Sequence, residues 1–213
     1  EGARNPRVVG APGQLDVAAA VEPLEVPTGS VDRSMGDVHP EGNPHYLLDP
    51  RNGLRAADLI ARRLTELAPG SADRFEAARR DFARGFAARI VAWEGRGAAW
   101  RGRRVVCYHK QFEYFAVWLG LDIVGYIEDR PGIPPTARHV ARLVEHMGAQ
   151  EVRVVLQSTY TDPAPARRVA ERAGARVVVL PAAVGAIDEA GDYGVLFDVI
   201  LARLQSGFAD TAP

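Results

Sequence analysis

Residues 104–128, RVVCYHKQFEYFAVWLGLDIVGYIE, decide the fold. The apolar run over 104–108 reads as a short buried strand. Residues 111–119 read as a helix, and Gly120 supplies its stop. Residues 122–127 read as a second strand. Strand, helix and strand in so short a stretch form a βαβ unit, so the two strands are expected to run parallel. The pattern continues downstream. Thr136 is placed to cap a helix that runs to Met147 and ends at Gly148, and residues 152–156 read as a third strand. Residues 163–173 read as a helix, 176–180 as a fourth strand and 193–205 as a final helix. Repeated βαβ units predict a parallel sheet with helices on both faces. In such sheets ligands sit outside the carboxyl ends of the strands. That rule singles out His109, directly after the first strand, and Glu128, directly after the second.

Upstream of this block, Asp49-Pro50 is a helix cap followed by proline at the first helical position. Ala57, Ile60, Leu64 and Leu67 then lie on one helical face, and Pro69-Gly70 ends that helix. Ser71 can cap a second helix with the stripe Phe75, Phe82, Phe86, Ile90 and Trp93. At 1.5 Å per residue this helix reaches about 30 Å or more, long enough to span between two lobes. Residues 1–45 are rich in Gly and Pro, with short apolar pieces at Val8-Val9, 15–21, and Leu24 with Val26. Prolines at 6, 12, 23 and 27 prevent one long helix there, and loops with one or two short strands are expected.

The 213 residues and 23.0 kDa suffice for one large domain or two small lobes. The net charge of −1 and the pI near 6.6 remove any general argument for nucleic acid or an anionic membrane as partner. Lys110 is the only lysine among 26 basic residues, a bias toward arginine spread along the chain. Cys107 is the only cysteine, so neither an intramolecular disulfide nor a thiolate-rich zinc site is possible. A transition-metal site must rest on His, Asp and Glu. No stretch reaches about 18 uninterrupted apolar residues, and residues 1–7 show no basic-then-apolar leader.

The most unusual segment is 36–46, GDVHPEGNPHY. It places His39 and His45 six apart in a loop stiffened by two prolines. Imidazole is the commonest protein metal ligand, and a stiff loop loses little entropy when its ligands converge; a pair of exposed loop histidines is the bland alternative. His109 adds a third imidazole, although a strand-end histidine with a satisfied hydrogen bond accounts for it equally. Glu128 suits a metal ligand, an acceptor that orients a ligating imidazole, or a surface partner of Arg130. His139 and His146, seven apart on one helix, read as solvated boundary positions. Cys107 reads as packed inside its strand. There is no His-Glu-x-x-His, no Gly-x-Ser-x-Gly and no phosphate loop. Gly95-Arg96-Gly97 lacks the third glycine of a dinucleotide fingerprint and follows no strand.

These pieces, in this order, resemble the solute-binding proteins of zinc- and manganese-uptake ABC transporters. The likeness is carried by 36–50 (GDVHPEGNPHYLLDP), 108–115 (YHKQFEYF) and 125–135 (GYIEDRPGIPP), and extends over nearly the whole chain. It implies an α/β protein of two lobes, with parallel sheets flanked by helices, joined by one long connector helix. The expected division is residues 1–70 for part of the N-terminal lobe, 71–100 for the connector and 101–213 for the C-terminal α/β lobe. The resemblance further implies high-affinity binding of Zn²⁺, or alternatively Mn²⁺, in the cleft, by a monomer that delivers the ion to a membrane permease. The location implied is periplasmic, or extracytoplasmic with a lipid anchor. Residue by residue, His45 and His109 match metal ligands of zinc-type members, and His39 belongs to a variant of the first motif.

The departures from the family pattern are specific. The chain is expected to begin inside the first lobe, without the first strands and another ligating histidine. Leu47 replaces a common tryptophan, and Gln157-Ser158 stands where an acidic residue and proline are usual. No late Asp-Ser is found; Ala183-Val184-Gly185 occupies that region, with Asp188, Glu189 and Asp192 nearby. Two other readings compete with a metal carrier. One is a metal-dependent hydrolase with Glu41 or Glu128 as general base; the other is a truncated α/β fragment that binds no metal.

Overall fold

The computed structural model describes residues 10–29, 38–130 and 132–209. Val8-Val9, the first two residues of the histidine loop (Gly36 and Asp37) and Pro131 lie outside them. The chain folds as α/β, around a four-stranded parallel sheet: β1 (Arg104–Cys107), β2 (Asp122–Tyr126), β3 (Val154–Ser158) and β4 (Arg176–Leu180), in the order β2-β1-β3-β4. The first crossover runs outward from β1 to β2, and the second returns past β1 to β3. The strand order therefore reverses between β1 and β3, which opens a crevice at their carboxyl ends.

The strand alternation sorts side chains onto two faces. Val105, Cys107, Leu156, Val178 and Leu180 face one core, with Trp93 of α2 (Ala72–Gly97), Phe115 and Trp118 of α3 (Glu113–Leu119), and Phe197, Ile200, Leu201 and Leu204 of α6 (Tyr193–Ala209). Val106, Tyr108 and Val155 face the other, with Leu143 and Met147 of α4 (Ala137–Ala149) and Ala166 and Val169 of α5 (Pro163–Ala173). Helices thus cover both faces. Cys107 is fully buried, as its apolar surroundings required. Burying side chains such as Phe197 or Leu201 stabilises the fold by roughly 1.5–3 kcal/mol each.

Capping follows the sequence closely. Asp49 accepts the Arg51 N–H at 2.9 Å ahead of α1 (Pro50–Leu67), and Thr136 accepts the His139 N–H at 3.2 Å ahead of α4. Gly120 closes α3 in the left-handed region at φ +73°, where a Cβ is disfavoured. Several boundaries move by a few residues. Helix α4 runs through Gly148, because the positive φ that ends the segment falls on Glu151 instead. The Val152 N–H still bonds the Met147 carbonyl, so β3 starts later than expected, and pairing with β4 keeps Gln157 and Ser158 in the ladder. Helix α3 starts only at Glu113, since the turn after β1 occupies residues 109–112.

The N-terminal segment differs from expectation. Among its described residues there is no strand, only a 3-10 turn at Val17–Ala20 and loops. The expected α1 stripe exists, yet Ile60, Leu64 and Leu67 are about two-fifths exposed. With Leu47, Phe75, Phe82 and Tyr193, Ile60 and Leu64 line an open apolar groove of about 390 Å³. Helix α2 packs along α1 and, through Phe86, Ile90 and Trp93, into the sheet core. Trp93 Nε1 and Arg89 both donate to Asp198 of α6 at 2.7 Å.

Candidate metal centre

His109 is positioned by the strand that precedes it. Tyr108 still donates its N–H to the Leu156 carbonyl of β3, and the next residue leaves the sheet at its carboxyl edge. Glu128, one loop away after β2, is fixed likewise: its N–H bonds the Tyr108 carbonyl at 2.9 Å. The two side chains meet, with His109 Nδ1 2.9 Å from Glu128 Oε2. With the carboxylate ionised, Nδ1 carries the proton and donates it, which leaves Nε2 as a free lone pair. Gly132 N–H also donates to that oxygen, at 3.3 Å.

His45 comes from a different part of the chain. It lies between the turn at Gly42 and a 3-10 turn, Tyr46–Leu48, that leads into the α1 cap. Asn43 Oδ1 accepts the His45 N–H at 2.9 Å, and Asn52 Nδ2 donates to the Tyr46 carbonyl at 2.8 Å. The Tyr193 hydroxyl donates to the Leu47 carbonyl at 2.7 Å, tying this loop to α6. Gly53 belongs to the same packing, since a methyl group there would run into the Tyr193 ring.

The two imidazoles meet. Their ring centroids are 6.2 Å apart and the planes nearly perpendicular, at 83°. Burial pushes the His45 pKa down to about 4, and the neighbouring His109 and His39 add to the shift. His45 is therefore neutral across the physiological range, the form that can ligate a cation.

The remaining residues singled out in the sequence take other places. His39 is half-buried and close enough to His45 to act on its charge. Glu128 is engaged with His109. Glu41 is exposed. His146 is exposed as expected, whereas His139 sits more tightly than a solvated position: its Nε2 is 2.8 Å from the Tyr126 carbonyl. Of the late acids, Asp188 and Glu189 are exposed, and Asp192 caps α6 by accepting from Gly194 and Val195 at 2.8 Å. Among the described residues, no group of three or more His, Cys, Asp or Glu side chains is placed to hold a metal ion. Gln157 Oε1, Ser158 Oγ and Thr159 Oγ1, at the carboxyl end of β3 beside β1, are buried without a hydrogen-bond partner. In the sequence, Gln157-Ser158 stands out as a departure from the family pattern, and Thr159 only as a polar residue at a strand end.

The family model for the zinc-uptake complex component A, periplasmic, matches residues 4–207. The chain belongs to that family. Solved structures similar to this chain include a crystal structure of ZnuA, at 21% identity and a TM-score of 0.73, covering 90% of this chain and 68% of that one. A Mn-bound periplasmic metal-binding protein from Candidatus Liberibacter asiaticus has 19% identity and a TM-score of 0.72, over 90% of this chain and 70% of that one. A Cd-bound structure of a periplasmic metal-binding protein from the same organism has 20% identity and a TM-score of 0.68, over 78% and 64%. At these identities the likeness shows the fold, and the chain spans about two-thirds of their length. No curated protein matches the chain. No helix among the described residues is long and apolar enough to cross a membrane.

Proposed function

We propose that this chain binds one divalent transition-metal ion, Zn²⁺ in preference to Mn²⁺, between His45 and His109 outside the cytoplasm, and delivers it to the permease of an ABC transporter. The observation that carries the reading is the approach of two imidazoles from distant parts of the sequence. Two histidines on one tetrahedral zinc ion put their ring centroids about 5 Å apart, given Zn–N bonds of about 2.0–2.1 Å. The observed centroid separation of 6.2 Å is about 1 Å longer than that. Imidazole is a ligand of intermediate softness and favours zinc over manganese. His39, close enough to act on the charge of His45, is a further donor on this reading, and Glu128 holds the proton of His109 in place instead of ligating. The ion is cargo, so the protein binds it without chemistry.

The same reading divides the chain into part of an N-terminal lobe over residues 1–70, a connector over 71–100 and an α/β lobe over 101–213, acting as a monomer. The 26 residues of α2 support the connector role, since they extend about 39 Å. Calorimetric titration with Zn²⁺ and Mn²⁺ tests the assignment. His45→Ala and His109→Ala are each expected to weaken zinc binding strongly, while His146→Ala leaves it intact. Unchanged affinity in both cleft variants contradicts it.

A further inference from the structure

We propose that Asn43 is the positioning residue of the cleft: it ties the loop bearing His45 to the loop bearing His109 and sets the gap between the two imidazoles before an ion arrives. The inference rests on reading those histidines as the metal pair. Asn43 is buried, at 8% exposure, and both ends of its side chain are used. Oδ1 accepts the His45 N–H at 2.9 Å, which fixes the backbone of that histidine. Nδ2 faces three acceptors: the Lys110 carbonyl at 3.3 Å, Glu113 Oε2 at 2.9 Å and Glu25 Oε2 at 3.0 Å. Lys110 directly follows His109, and Glu113 opens α3. One carboxamide therefore contacts the neighbours of both imidazoles.

The surroundings are built to keep that carboxamide in place. The Asn43 N–H bonds the Leu24 carbonyl at 2.8 Å, and the Leu24 N–H bonds the Tyr114 hydroxyl at 2.9 Å. Residues 24–25 thereby form a strap across the two loops, with Glu25 at a positive φ of 55°. Lys110 pairs with Glu25 and lies 5.2 Å above the Tyr126 ring, so its ammonium offsets one of the two carboxylates that share the amide. An amide nitrogen has two hydrogens for its three acceptors, and one bond is shared. No other residue type supplies an acceptor to His45 and a double donor to the far loop in this volume.

The decisive variants exchange donor and acceptor. Asn43→Asp keeps the oxygen that receives the His45 N–H, but turns a carboxylate toward Glu113 and Glu25. Adding Glu113→Gln restores the pair with its polarity reversed, since the glutamine amide then donates to the new carboxylate. Zinc affinity is read by competition with a chromophoric chelator, on protein shown to be fully folded by circular dichroism. A residue that only stabilises the fold leaves the affinity of a folded protein unchanged. Asn43→Asp is expected to lose about tenfold or more in zinc affinity, the scale of lost support to a metal ligand. Asn43→Asp with Glu113→Gln is expected to recover part of that loss, since the Glu25 carboxylate and the Lys110 carbonyl still face the new oxygen. Amide hydrogen exchange in zinc-free protein gives a second readout, with protection at His45 lost in Asn43→Ala.

Parent-like zinc affinity in Asn43→Asp overturns the inference while leaving the metal pair intact, provided His45→Ala abolishes binding. Failure of the double variant to recover also overturns it, because the Asn43–Glu113 pair is then not the link. Unchanged affinity in His45→Ala removes the metal reading and this inference with it; the exchange measurement then separates a tether without a metal role from no tether at all.

Discussion

The two sides of the cleft are built by different means. His109 continues a central strand whose backbone bonds β2 and β3, and its ring is turned by a carboxylate from the next strand end. His45 sits in a loop with no strand beside it and is held by side chains: Asn43, the Asn52 amide and the Tyr193 hydroxyl. A ligand on a sheet edge inherits the rigidity of the core. A ligand on such a loop depends on each polar bond separately, so distant substitutions should matter more on the His45 side.

That contrast can be broken most directly at the ligands. His109→Ala and His45→Ala are each expected to reduce zinc affinity by about 100-fold or more, since either removes one of the two cleft imidazoles; calorimetry with both variants checks this. Next comes the carboxylate. Glu128→Ala should cost about tenfold to 100-fold in zinc affinity through loss of the His109 tautomer and orientation, and Glu128→Gln less, because its amide oxygen still accepts from Nδ1. Equal affinities of the Ala and Gln variants would place Glu128 outside the orienting role.

On the His45 side, Gly53→Leu drives a side chain into Tyr193 and is expected to lower unfolding free energy by about 1–3 kcal/mol in denaturant titration. Were the position open, replacing a helical glycine would instead stabilise by up to about 1 kcal/mol. A further effect concerns pH. The unfolded chain protonates His45 near 6.5, whereas the folded chain does so only near 4. The stability of the metal-free protein is thus undiminished by this group above about pH 6.5 and falls as pH drops from there toward 4, then levels. A His45→Gln variant should flatten that part of the stability–pH profile. Proton competition with zinc at His45 is expected near pH 4, below the usual histidine range.

How much of this was legible in the sequence follows the same divide. The helices and strands from Asp49 onward carry short-range signals, such as the Asp49 and Thr136 caps and the Gly120 stop, and they appear in the expected order with some ends shifted by a few residues. The N-terminal segment carries no such periodicity, and the expected strands are absent among its described residues. His45 and His109 stood out as residues, but their approach depends on how the loop before α1 docks against the β1 crevice, a long-range contact that no local pattern encodes. The role of Glu128 was open for the same reason. Asn43 drew no notice inside its motif, because its bonds reach 18, 67 and 70 residues away. His139 reads as solvated from its helical spacing, yet the Tyr126 carbonyl at the end of β2 claims it.

Anomalous diffraction at the zinc edge from crystals of the zinc-loaded protein is the most direct measurement. The account predicts one strong peak in the crevice at the carboxyl end of β1, with a nitrogen of His45 and a nitrogen of His109 each about 2.0–2.1 Å away. A peak bound by other side chains, with the two imidazoles still separated, would contradict it.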